Sequence, residues 1–322
     1  MTSNPERAAA FAPASVSNVG CGFDVLGFAL EAPGDVVIAL PRARPGIDVI
    51  DITGDAGRLP RAADRNTASV AAAALLRLAG RDGTGVDLVI RKGLPLASGI
   101  GSSGASAVAA VVAVNEALGI GASQDLLLRS AMEGEGAAAG APHPDNVAPA
   151  LLGGFVLARS VDPPDVVALP VPAGLACAVL HPAIEIETRA ARAILPASVP
   201  LADAVRQWAN VGALVAALYT GDLDLLGRAM VDHIVEPRRA HLVPGLPHVT
   251  AAARAAGAIG SGLSGAGPCI FAVARSAGDA ARAGDAMLQA LRDHGRIDGR
   301  IYVSPVSTAG ARLIDAVDQH PK

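Results

Sequence analysis

Chemistry in this chain is concentrated where glycine and serine precede a helix. Pro95-Leu96-Ala97-Ser98-Gly99-Ile100-Gly101-Ser102-Ser103-Gly104-Ala105 runs straight into an alanine- and valine-rich stretch ending at Leu118. Gly85 to Arg91 reads as the strand that feeds this loop, and Pro95 ends it. Ser102 or Ser103 suits an N-cap. Val108, Val111, Val112 and Leu118 give the helix one apolar face. Small residues at Gly99, Gly101 and Gly104 let a ligand approach the backbone, and the free N–H groups of a helix start attract an anion. A nucleotide phosphate is the expected anion; a glycine turn opening a buried helix is the bland alternative.

Gly99, Gly101 and Gly104 also spell G-x-G-x-x-G. The dinucleotide fingerprint needs a second strand after the helix, whereas another helical stretch follows from Ser123. The spacing of Gly99 and Gly104 fits a Walker A loop, but Ala105 stands where its lysine belongs. Lys92 and Lys322 are the only lysines in the chain, so no lysine is expected at the phosphates. The protein-kinase loop fails as well, because the chain contains neither H-R-D nor D-F-G.

Other polar residues could converge on such a site. Asn18 and Asp24 are six apart across Gly20 and Gly22, either turn formers or two groups facing one pocket. Glu135 stands near the end of the helix that Ser123 caps, where a carboxylate opposes the macrodipole. It is a candidate magnesium ligand or a solvated surface charge. His143 lies between Pro142 and Pro144, with Asn146 just beyond, in a rigid turn that presents them or merely precedes a strand. Thr188 and Arg192 share one face of a short helix, and Arg239 follows the Glu236-Pro237 break. Arginine suits a carboxylate, although each alone also reads as a surface charge. A second glycine-rich loop, Gly260 to Pro268, precedes the strand Cys269 to Val273.

The elements that must position these residues form an α+β layout without repeats. Strands are expected at Val36–Leu40, Ile47–Ile52, Val166–Leu169 and Ala176–Leu180. Helices are expected at Thr67–Leu78, Leu201–Tyr219 and Leu223–Ile234. The proline-rich stretch from Ser160 is the candidate domain boundary. In 322 residues, 51% hydrophobic content with 2% aromatics predicts a core of Ala, Val, Leu and Ile. A net charge of −4 with scattered arginines argues against a nucleic-acid surface. Cys21, Cys177 and Cys269 are too few and too far apart for a disulfide frame or zinc site. Met1 to Pro13 has no apolar signal core, and the longest apolar run, Ala107 to Val114, is too short for a bilayer. A soluble, cytoplasmic protein without a membrane or nucleic-acid partner is expected.

Three separated segments together resemble the motifs of the GHMP kinases. They are Ala12-Pro13-Ala14 with Asn18 and Gly22-Phe23-Asp24, then Pro95 to Ala105, then Ser261 to Pro268. Phe23-Asp24-Val25-Leu26-Gly27, His143-x-Asp145-Asn146-Val147-Ala148-Pro149, Arg192-Ala193-Ile194-Leu195-Pro196 and Glu236-Pro237-x-Arg239 narrow it to the branch acting on L-homoserine. The resemblance covers nearly the whole chain; a small departure is Gly104, where the family usually has alanine.

It implies a two-domain GHMP fold. A ribosomal-protein-S5-domain-2-like domain would span residues 1–160, joined again by 297–322. A ferredoxin-like α/β sandwich would span 161–296, with the site in the cleft between. The implied reaction is ATP-dependent phosphorylation of the homoserine side-chain hydroxyl, with Mg2+, in a homodimer. Residues 95–105 would wrap the ATP phosphates, with Ser103 and Glu135 holding the magnesium. Asn18, Asp24, His143, Asn146, Thr188, Arg192, Arg239, Gly262 and Gly265 would serve homoserine. Asn146, with Asn18 and Arg239, would be the catalytic set. Asn146 cannot take a proton and no lysine is expected, so positioning and charge stabilisation are the expected means of catalysis. Two alternatives are a kinase of this family acting on a mevalonate-like alcohol and a non-catalytic nucleotide or metabolite sensor.

Overall fold

The computed structural model describes residues 7–315. Lys322 and the outermost parts of the expected spans, 1–6 and 316–322, lie outside them. Small and β-branched residues make β1 (Ala8–Ser17) and β2 (Leu26–Arg42), an antiparallel pair. The chain continues through β3 (Gly46–Thr53) and α1 (Thr67–Leu78) to β4 (Gly85–Arg91). β4 runs parallel to β3 and antiparallel to β2. α1 begins where the Asn66 side chain accepts from the Ala68 N–H.

α2 (Ser102–Ala117) departs from the expected single apolar face. Alanine, valine and glycine are buried almost all round it, because β1, β2, α1 and α3 enclose it. Its N-cap is Gly101, in the left-handed region at φ 68° and without a side-chain cap bond, so neither Ser102 nor Ser103 caps the helix. α3 (Gln124–Ala139) starts as expected on Ser123, whose side chain accepts from the Leu126 N–H. The proline turn around His143 proves to open a helix, α4 (Pro144–Leu152). Pro144 occupies the first position, where a missing N–H costs nothing.

β5 (Phe155–Val161) and β6 (Pro164–Leu169) follow as a hairpin, with Val161 opposite Pro164. The proline-rich stretch expected as a boundary is therefore the turn of this hairpin, and β5 pairs with β2 in the first sheet. That sheet has the order β11-β1-β2-β4-β3, with β5 and β6 branching from β2; β11 is Arg312–Ile314.

The second sheet begins with β7 (Ala176–Pro182). Then come α5 (Thr188–Ala193), α6 (Leu201–Thr220), α7 (Leu223–Ala229), α8 (Glu236–Arg239) and α9 (Leu246–Ala255). α7 stops short of the expected Ile234. Asp232 accepts from the Ile234, Val235 and Glu236 N–H groups and starts a new turn instead. β8 (Gly260–Leu263), β9 (Ile270–Ala274), α10 (Ala277–Ala290) and β10 (Gly299–Pro305) complete the order β10-β7-β9-β8, all antiparallel. With α9 and α10, this is a β-α-β-β-α-β ferredoxin-like sandwich. Gly260–Leu263, expected as loop, is strand. The segment expected to return to the first sheet divides: β10 stays in the second, while β11 pairs with β1.

Phe28, Phe155 and Phe271 join the two sheets. Phe28 packs 4.8 Å from Phe155 and 6.5 Å from Phe271, centroid to centroid. The rest of the large core is the expected aliphatic mixture. Among the described residues no helix is long and apolar enough to cross a membrane.

Candidate functional site

A cavity of about 290 Å³ lies between the α2 loop and the elements that follow β7. At one end four consecutive loop carbonyls, Ser98 to Gly101, are turned into protein. Ser98 O accepts from Cys269 N at 3.0 Å, Ile100 O from Ser15 N at 3.2 Å and Gly101 O from Ala105 N at 2.8 Å. Gly99 O accepts from Ser264 Oγ at 2.7 Å. In a trans peptide the next N–H points the opposite way, so consecutive amides from Gly99 to Ser102 face away from these partners. The α2 ladder begins only with the Ala105 N–H, which leaves earlier donors free. The result is a nest of donors at a helix N-terminus, suited to a polyanion.

Gly99 and Gly101 also serve packing. A Cβ on Gly101 would sit 2.2 Å from Ser15 Oγ, and one on Gly99 would sit 2.5 Å from Ser264 O. Their missing side chains let the loop pack onto β1 and onto the Ser264–Gly267 turn. Leu96, Ala97, Ser98, Gly99, Gly101, Ser102 and Ser103 line the cavity, whereas Pro95, Ile100, Gly104 and Ala105 stand behind its wall. Lys92 is nearer than expected, lining the cavity, but its side chain is 2% exposed and paired with Asp35.

The other end is built from side chains. Asn18 and Asp24 both take positive φ, 69° and 60°, as their residue types tolerate. Asn18 Nδ2 donates to Gly265 O at 2.8 Å and its Oδ1 accepts from Asp24 N at 3.1 Å. Arg192 reaches Asp24 in a two-pronged pair, 2.8 Å on each side. Its Nη2 also lies 2.9 Å from His143 Nε2. With the guanidinium donating, that nitrogen accepts and Nδ1 carries the proton, facing Glu135 Oε1 at 3.8 Å.

Arg239 is 2% exposed and donates to Ala191 O at 3.0 Å and Gly265 O at 3.1 Å. Burial, and then the Arg192 charge, lower its pKa, which makes this corner receptive to an anion. Both guanidinium carbons lie 5.3 Å from the Phe23 ring centre, a cation–π arrangement that fixes their separation.

Thr188, Asn146 and Gly265 also line the cavity. Gly262 lies instead in β8, where its bare Cα leaves room for the Glu236 carboxylate. Asp145 is the main residue the sequence left unassigned. It lines the cavity, is 1% exposed, and has Oδ1 without a partner. Burial, and then the Asp24 charge, raise it to about 7. In sequence it looks like an ordinary acid in the first turn of α4, so only its burial betrays it.

Ser103 and Glu135 line the same cavity. Glu135 is 4% exposed, and its Oε2 has no partner. A hard carboxylate oxygen and a hydroxyl that line one cavity with an anion nest suit Mg2+, which takes few protein ligands and completes its shell with phosphate oxygens and water. No cluster of three or more His, Cys, Asp or Glu suited to a metal occurs among the described residues.

Residues 66–154 match the family described as GHMP kinases N terminal domain, and residues 214–293 match GHMP kinases C terminal. A homoserine kinase of Chlorobium phaeobacteroides is 46% identical over 315 residues, covering 94% of this chain and 98% of its own. A homoserine kinase of Pyrococcus furiosus is 40% identical, covering 92% and 97%. The crystal structure of homoserine kinase from Cytophaga hutchinsonii superposes with TM-score 0.92 at 47% identity, covering 98% of this chain and 99% of that one. Leishmania major mevalonate kinase, at 20% identity and TM-score 0.67, shares the fold.

Proposed function

The chain belongs to the GHMP kinase family, in its homoserine kinase branch, and from that membership we infer how its cavity works. The reaction converts ATP and L-homoserine to ADP and O-phospho-L-homoserine. The observation that carries the residue assignment is the charge layout of the side-chain end. Arg192 and Arg239 flank Phe23 while Asp24 stands beside them.

An amino acid is a zwitterion, and the Arg192–Asp24 pair is its complement. The substrate carboxylate replaces Asp24 as the partner of Arg192 and adds Arg239, while Asp24 turns to the ammonium group. His143 and Asn18 hold Arg192 and Asp24 in register. Thr188 and Gly265 close the wall. The loop amides from Gly99 to Ser102 take the ATP phosphates, and Asn146, beside Gly101, accepts the hydroxyl proton as a hydrogen bond and aims the oxygen along the transfer line. The proton leaves late, to the transferred phosphoryl group. Ser103 and Glu135 would hold Mg2+, which when bound would neutralise phosphate charge. A coupled ADP-release assay across L-homoserine, mevalonate and galactose tests this reading. Signal with homoserine alone supports it, signal with mevalonate favours the related alcohol kinase, and none at all favours a sensor.

We also place the protein in the cytoplasm as a homodimer. Its three cysteines are free and buried, as suits a reducing compartment. Leu201, Val205, Trp208 and Tyr219 are 71, 45, 57 and 64% exposed along one side of α6, an apolar stripe fit for a second copy. Sedimentation of wild type and Trp208→Glu decides it: a dimer converted to monomer is expected, and a monomeric wild type sinks the assignment.

A further inference from the structure

Beneath the phosphate loop a buried polar cluster touches both loop ends at once. Asp35, on β2, is 0% exposed. Its Oδ1 accepts from Gly93 N at 3.0 Å and Leu94 N at 3.1 Å, where the loop leaves β4. Its Oδ2 accepts from Lys92 Nζ and from Ser106 Oγ, the latter at 2.7 Å. Lys92 Nζ also donates to Ser102 O at 2.9 Å and Ser106 Oγ at 2.8 Å, on the first turns of α2. One carboxylate thus ties the loop's first residues, and through one ammonium the loop's last.

All three ammonium hydrogens of Lys92 are used within this cluster, and its charge is matched by Asp35 in direct contact. It therefore does not act as a P-loop lysine, which reaches the phosphates itself. A buried ion pair also adds little net stability over an apolar pair of the same shape, because both charges are desolvated. What it adds here is direction: the bonds converge from a strand, a loop start and a helix.

We propose that Asp35, Lys92 and Ser106 are positioning residues that set the distance between the two ends of the phosphate loop, and hence the spacing of the amides that receive ATP. The proposal rests on the loop being the nucleotide site. It explains how a loop without a phosphate-binding lysine presents a fixed nest of donors: the lysine is spent on the frame.

The decisive comparison is Lys92→Met, Asp35→Asn/Lys92→Met and Ser106→Ala, read by thermal midpoint, ADP affinity, and KM for ATP and L-homoserine. Lys92→Met strands a buried carboxylate, so both the midpoint and ATP affinity fall. The double variant removes both charges, and the amide oxygen that replaces the carboxylate still accepts from the Gly93 and Leu94 N–H groups. Its midpoint recovers toward wild type, while ATP KM stays raised about tenfold or more and homoserine KM holds within about twofold. Ser106→Ala loses no charge but leaves one Lys92 N–H without an acceptor; it lowers the midpoint less than Lys92→Met does and raises ATP KM by about threefold.

Recovery of wild-type ATP KM together with the midpoint, or an unchanged ATP KM in Ser106→Ala, overturns the proposal and leaves the cluster merely structural. Gly101→Ala separates this from failure of the site itself. Its Cβ would collide with Ser15 Oγ at 2.2 Å, so ADP binding is lost if the loop is the site. ADP binding intact in Gly101→Ala overturns the nucleotide assignment and the proposal with it.

Discussion

The two ends of the cavity are built by opposite means. The end proposed for the phosphates is backbone: its carbonyls are tied to β1, to the Ser264–Gly267 turn and to α2 itself. A buried cluster holds its frame. The end proposed for the amino acid is side chain: Asp24 and Arg192 are 36% and 39% exposed, and the segments bearing them lie 168 residues apart. An amide nest needs fixed spacing and offers only partial charges, whereas a zwitterion needs full charges that can exchange partners. Rigidity at one end and exchangeable pairs at the other are what the two proposed ligands would require.

The largest effects should separate the ends. Arg239→Met removes a buried cation that has no carboxylate of its own among the described residues. It is expected to raise homoserine KM by about 100-fold while leaving ATP KM within about twofold. A matching rise in ATP KM would show that the two ends are not independent. Asn146→Ala, at the junction, should lower kcat by about 100-fold with both KM values little changed, since it misplaces the hydroxyl. If Asn146→Asp instead raised kcat by orders of magnitude, proton removal would limit the reaction and late proton transfer would be wrong.

Asp145 sharpens the same point through pH. Its carboxyl lies near 7 in the fold against 3.8 in the free side chain, so the folded protein binds the extra proton in between. That contribution is complete below about pH 4 and is lost as pH rises through about 7, on the order of 4 kcal/mol in all. Without nucleotide or metal, wild-type stability should therefore fall from pH 5 to 8, and Asp145→Asn should flatten that fall. Its kcat should stay within about tenfold of wild type. A drop of 100-fold or more would make Asp145 a general base.

How much of this was legible in the sequence follows the same division. The loop is contiguous, so its glycines, serines and following helix could be read directly, as could Thr67–Leu78 with its ends. The reason for the glycines could not: Gly101 is fitted to Ser15, 86 positions upstream by number, and only the fold brings them together. Lys92 looked remote from the phosphates because its role passes through Asp35, 57 residues away. Asp24, Arg192 and Arg239 could be matched to a zwitterion by residue type, but their common contact with Phe23 is tertiary. The α4 helix was hidden by its prolines: Pro144 suits the first turn, but Pro149 sits inside the helix, where a proline ordinarily breaks it.

Smaller still is the change at Gly104. A Cβ there would meet Val147 at 3.5 Å and Asn146 at 3.8 Å, ordinary contact distances, and no positive φ is required. Gly104→Ala should raise stability by about 0.5–1 kcal/mol through reduced freedom of the unfolded chain. Its ATP KM should not change, because the residue stands behind the wall. A thermal midpoint that failed to rise would mean that α2 is packed too tightly for one methyl group.

The smallest effect is expected at the rim of the cavity. Arg58 donates to both oxygens of Glu185, at 2.5 and 2.8 Å, linking the loop that carries Leu59 to the segment leading into Thr188. Both partners are about half exposed, at 51% and 52%, so the pair is screened and worth little to stability. Its effect should appear in binding instead. Arg58→Ala is expected to raise homoserine KM by about twofold at low ionic strength and not at all in about 0.5 M salt, with ATP KM constant throughout. An equal, salt-independent rise in both constants would mean that the rim pair braces the whole cavity, and the division between a fixed end and an exchangeable end would not hold there.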